Sequence, residues 1–143
     1  MVNTWLLIAA LAAIVAMLLH IFTFERWIWP NLGYECFPTT PFGPPKVARS
    51  YYRIVWHCLT VNLLVTTIAC ILVGVGTLVP YGMVLIYFLL FFWILILVEI
   101  FFIGAMVLEP DDSYIKSMLR SFQWVFVLLL IICMYLGTKY QVS

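Results

Sequence analysis

Four long, mostly apolar stretches alternate with three short polar ones. The apolar stretches run from about Trp5 to Phe24, Arg53 to Gly76, Gly82 to Leu108 and Met118 to Gly137. Each is about the length of helix, roughly 20 residues, that crosses a hydrocarbon core. The intervening residues favour reversal. Gly76-Thr-Leu-Val-Pro80-Tyr-Gly82 supplies proline and glycine for a tight turn, while Glu109-Pro110-Asp111-Asp112-Ser113 stops one helix at its proline and offers cap oxygens to the next. The pattern predicts an all-α integral membrane protein, an antiparallel four-helix transmembrane bundle occupying residues 1–143 as a single domain.

Composition specifies the solvent. Of the 143 residues 66% are hydrophobic and 9% charged, which would leave a water-soluble globule of this size with a grossly apolar surface. The expected surroundings are therefore a lipid bilayer. No charge run offers a nucleic-acid surface, and a net charge of +1 says nothing about partners. The first stretch has no Lys or Arg before Trp5, and its cations follow it. That order is the reverse of a secretory signal peptide, so the helix is expected to be retained with its N-terminus outside.

The cations also orient the chain. Arg26, Lys46, Arg49, Arg53, Lys116 and Arg120 fall on the side of loops 25–52 and 109–117, against Lys139 alone on the other side. The positive-inside rule places those loops in the cytoplasm and both termini outside, with a bacterial inner membrane as the expected location. Aromatic residues fit the two interfaces: Trp27, Trp29, Tyr51, Tyr52 and Trp56 inside, and Trp5, Tyr81, Tyr135 and Tyr140 outside. The first loop carries Pro38, Pro41, Pro44 and Pro45, which favour extended backbone. It reads either as a stiff strap fixing where helix 2 starts or as a recognition segment for a partner.

Polar groups within the apolar stretches are the candidates for chemistry, because lipid makes them costly. At 1.5 Å per residue His20 and His57 each lie about 6 Å below the cytoplasmic ends of helices 1 and 2, with Gln123 near that level and Asn62 and Glu99 roughly 13 Å down. Ala9, Ala12, Ala13 and Ala16 continue at helical spacing into His20. Arg53, His57, Thr60, Leu64, Thr67, Ile71 and Gly74 form a stripe on helix 2, so both histidines are expected to look inward. One reading has His20 and His57 bind a haem iron or a metal with Glu99 nearby. No Glu-x-x-His or His-x3-His spacing supports it. The other reading is structural, with an interhelical hydrogen bond or an ion pair of Arg53 or His57 with Glu25. Glu99 is either protonated and bonded to Asn62 or a proton or cation site. Cys36, Cys58, Cys70 and Cys133 contain no Cys-x-x-Cys pair and are expected to be free thiols, although Cys70 and Cys133 lie at similar depth.

His20, Glu25 and Pro30, then Arg53-Ile-Val-Trp56-His57, then Gln123-Trp124 and Leu136-Gly137, resemble a group of small bacterial four-span membrane proteins of undetermined function. The resemblance implies a common fold and a Trp-His element, and no reaction. The chain departs from that pattern at Phe24, where the group has glycine. Small multidrug exporters share the span count but carry an essential carboxylate in their first span, and helix 1 has none. No catalytic set is assembled. The expectation is a non-enzymatic membrane subunit or accessory protein, paired with a second copy or another membrane protein. The alternative is a cofactor-, metal- or proton-binding protein using the His/Glu cluster.

Overall fold

In a computed structural model of the chain the described residues are 2–41, 43–77, 81–107 and 123–140, backbone only at 102–107 and 123. They form four helices and no strand: α1 (Thr4–Thr23), α2 (Pro45–Gly74), α3 (Gly82–Val107) and α4 (Gln123–Lys139). The first three are long and apolar enough to cross a membrane, and α4 is a shorter apolar helix. Residues 118–122, where the fourth helix was expected to begin, lie outside the described residues.

α1 begins and ends, and α3 begins, within a residue of the expected positions; the expected end of α3 at Leu108 lies outside the described residues. α2 starts eight residues before Arg53, at Pro45. A proline at the first helical position has no N–H to leave unpaired and already holds a helical φ, so Pro45 opens the helix while Pro44 before it stays extended. The polar residues Lys46, Arg49 and Ser50 hide this turn from a hydropathy criterion, although helix propensity does not oppose it. The segment between α1 and α2 opens with a π turn, Phe24–Ile28, and two 3-10 turns, Trp29–Asn31 and Tyr34–Cys36, and its backbone is extended at Phe37 and Pro44, which flank the proline-rich stretch.

α1 packs against α2 and α4, and α3 against α4 and α2. Ala9, Ala12, Ala13 and His20 are buried on α1, as their spacing predicts. Small side chains let the backbones come close, which is how helices associate where lipid removes the hydrophobic drive between them. The inward face of α2 differs from the expected stripe. Thr67 and Gly74 are buried, but Leu64 and Ile71 are exposed and Leu63, Thr66, Cys70 and Val73 take the inner positions. The reason is a hydrogen bond. Trp93, 1% exposed on α3, donates its Nε1–H to Thr66 Oγ1 at 2.9 Å, and that hydroxyl donates onward to Asn62 O at 2.8 Å.

One end of the structure is organised by Asn3. Its side-chain oxygen caps α1 by accepting Leu6 N–H at 3.2 Å. Its amide Nδ2 donates to Gly137 O of α4 at 2.7 Å, and its own N–H donates to Gly74 O of α2 at 2.7 Å. The start of α1 is thereby joined to the ends of α2 and α4, and it runs antiparallel to both. Cys70 and Cys133 are buried, and all four cysteines are free thiols.

Candidate functional site

The far end of α1 holds the densest polar cluster among the described residues. α1 widens there into the π turn, where Trp29 N–H reaches back five residues to Phe24 O. The turn sinks Phe24 to 0% exposure and leaves Glu25, the next residue, half-buried against α2. Arg53 and His57, one helical turn apart, share the face of α2 that meets it. Arg53 Nη2 donates to Glu25 Oε2 at 3.0 Å and Oε1 at 3.1 Å, with Nε on Oε1 at 3.2 Å. His57 Nε2–H donates to Oε1 at 3.0 Å. One carboxylate therefore takes two cationic partners, of which His57 is charged only when protonated.

Aromatic rings surround this ion pair. His20 is 7% exposed and stacks on Trp56 with centroids 4.4 Å apart and planes 11° apart. Its Nε2–H donates to Trp56 O at 3.2 Å, since a carbonyl can only accept. Phe24 stacks on Trp56 at 4.6 Å and meets His57 edge-on at 5.7 Å. Arg49 lies 4.0 Å above Trp29 and 5.0 Å from Tyr34, with Arg53 4.9 Å from Trp29. Arg49, Arg53 and His57 thus form a basic column, spaced four residues apart, along one side of α2.

The two histidines reach the same level, as the residue count implied, but each Nε2 is already engaged by a different oxygen. A haem iron or metal held through both Nε2 atoms would have to displace Trp56 O and Glu25. Among the described residues no three His, Cys, Asp or Glu side chains converge. Asn62 and Glu99 do not meet: Asn62 Nδ2 donates to Cys58 O of its own helix at 2.9 Å. Glu99 is exposed and has no polar partner among the described residues. The Gln123 side chain lies outside them.

Phe24, Trp29 and Arg49 are not among the site residues that the sequence points to. The only available signal was Phe24 itself, a large residue where the resembling group has glycine. Trp29 and Trp56 read equally well as interfacial residues, and half-burial in the cluster distinguishes them from Trp27 and Tyr51, which are 60% and 59% exposed. No family model matches the chain, and no curated protein or solved structure is similar enough to count as a match.

The ion pair is partly solvated, with the Arg53 and Glu25 side chains 45% and 33% exposed, so its net stabilisation is modest. A double-mutant cycle of Glu25→Gln and Arg53→Gln is expected to give a coupling of about 0.5–1 kcal/mol. Measured by unfolding in detergent, strict additivity of the two substitutions would show that the contact contributes nothing.

Proposed function

We propose that the chain is an integral membrane protein, an antiparallel four-helix transmembrane bundle, acting as a non-enzymatic subunit or accessory protein of a membrane complex. Glu99 carries this reading. It projects from α3 next to exposed Val98, with exposed Leu95 one turn and Phe91 two turns back along the helix and exposed Phe101 two residues on. An unpaired carboxyl at such a place costs roughly 2.5–3.5 kcal/mol when charged in hydrocarbon. Among the described residues Asn3, His20, Thr66 and Trp93 find partners within the chain, whereas the uncharged Thr60 Oγ1 and Trp56 Nε1 are buried without one. A neighbouring membrane segment offering a donor, from another protein or a second copy, would relieve the cost at Glu99. The cation bias and the resemblance to small bacterial four-span proteins support an inner-membrane setting with loops 25–52 and 109–117 in the cytoplasm.

The test is the mass of the full-length protein in mild detergent, wild type against Glu99→Leu. The expected result is a complex or oligomer that Glu99→Leu dissociates without lowering the unfolding midpoint. A monomer of identical mass in both would overturn the reading. The same preparation addresses the cofactor alternative: a redox-sensitive Soret band or a stoichiometric metal would move His20 and His57 into cofactor chemistry.

A further inference from the structure

Two grooves lie end to end along the outer side of α2. One, of about 540 Å3, is lined by Trp29, Tyr34, Lys46, Arg49, Ser50 and Ile54. The other, of about 630 Å3, is bounded by Trp29, Ser50, Arg53, Ile54, Cys58 and Val61. Trp29, Ser50 and Ile54 belong to both, so the two form one continuous channel open on its outer side. Its character changes along its length, from cations and interfacial aromatics near the start of α2 to Ile54, Cys58 and Val61 further in, where His57 and Asn62 also line it.

The charges at the polar end are not neutralised. Glu25 is engaged by Arg53 and His57. Lys46 and Arg49 have no carboxylate partner among the described residues. Arg49 is nonetheless held in place: one Nη donates to Trp29 O at 3.1 Å, and the guanidinium lies over the Trp29 ring. Its Nε is buried without a hydrogen-bond partner. The structure thus presents a positioned cation and an exposed lysine on one rim, both suited to the oxygens of a phosphate, while the Ser50 hydroxyl beside them donates to Lys46 O at 2.9 Å.

We infer that this channel binds one anionic phospholipid, with the headgroup phosphate against Lys46 and Arg49 and an acyl chain along Ile54 and Val61. The inference rests on the membrane reading above. Free phosphate shares the headgroup chemistry, but the apolar continuation favours the lipid. From Lys46 to Val61 the helix axis rises about 22 Å at 1.5 Å per residue. That is close to the depth of one leaflet, half of a bilayer about 40–45 Å thick with its headgroups. Trp29 and Tyr34 stand at the level where such rings meet headgroups.

The test uses the full chain purified in mild detergent and offered phosphatidylglycerol, phosphatidylcholine of the same acyl chains, or inorganic phosphate. Lipid retention is read by native mass spectrometry. Phosphatidylglycerol is expected to be retained at least about five-fold better than phosphatidylcholine, and Lys46→Gln to weaken that retention roughly five-fold. Among the described residues the Lys46 side chain makes no hydrogen bond or ion pair that its replacement would break. The Lys46→Gln/Arg49→Gln pair is expected to weaken retention roughly 25-fold, while Arg26→Gln, outside the channel, leaves it within about two-fold of wild type. Equal retention of the two lipids, unchanged retention in both Lys46→Gln and the double variant, or an equal effect of inorganic phosphate would each overturn the inference. A chain released from membranes by alkaline washing would overturn the membrane reading itself, and that outcome is separate from lipid indifference in a membrane-retained protein.

Discussion

Trp93→Ala is expected to lower the stability of the detergent-solubilised protein by about 3 kcal/mol, more than any other single change at the contact of α2 with α3. Trp93 is 1% exposed and fills the space between those helices. Its removal leaves a void and deprives Thr66 Oγ1 of the 2.9 Å bond it accepts. Buried aromatic-to-alanine changes in water-soluble cores cost about 3–5 kcal/mol. The low end applies here, because separated helices in lipid or detergent keep an apolar environment and only packing and the hydrogen bond are lost. Trp93→Phe isolates the second part and is expected to cost about 1 kcal/mol. An unfolding titration in mixed detergent gives both values. Equal losses for the two variants would mean that packing at this position contributes little.

Gly137→Ala is expected to cost about 2 kcal/mol by overpacking. A Cβ at that position would sit 2.6 Å from Leu6 Cδ2, 2.8 Å from Leu6 Cγ and 3.4 Å from the Leu6 backbone nitrogen. Leu6 is fully buried and has nowhere to turn. Two other glycines calibrate the effect. At Gly74 the nearest atom to an added Cβ is Leu7 Cδ2 at 3.0 Å, the end of a half-buried side chain that can give way. At Gly76 there is open space but φ is +83°, so alanine costs about 1 kcal/mol through the backbone alone. The expected order of destabilisation therefore puts Gly137→Ala first. Asn3→Ala removes the cap of α1 and the donor to Gly137 O, at about 1–2 kcal/mol. Because it acts on the same contact, it should be less than additive with Gly137→Ala. Full additivity in thermal unfolding would show that the two residues do not work through a shared contact.

Long apolar runs made α1 and α3 legible, since lipid-crossing length is a strong one-dimensional signal. The start of α2 was not legible, because hydropathy marks where a helix turns apolar and not where it begins. Depth was legible as well: counting 1.5 Å per residue brings His20 level with Trp56, next to His57. What counting cannot supply is azimuth. Asn62 and Glu99 match in depth, yet one turns back to Cys58 O and the other faces outward. The same limitation misassigned part of the α2 face, where the Thr66 hydroxyl bond to Trp93 sets the rotation. Glu25 with Arg53 and His57 was visible as one option, because few carboxylates compete for those cations. Asn3 went unremarked. A single amide before an apolar helix looks like an ordinary cap, and only the folded chain reveals its bond to a carbonyl 134 residues away.

That separation dictates an order of assembly. Asn3 is synthesised 134 residues before Gly137. At 5–20 residues per second, roughly 7–27 s of synthesis divide them. During that interval α1 can settle against α2 through Gly74, His20 and the Glu25 end, while its opposite end still lacks α4. Of the four described helices α1 is therefore the first to be made and the last to be fully fastened. A ribosome stalled before Gly137 would hold a nascent chain whose Asn3 amide has no carbonyl to bind.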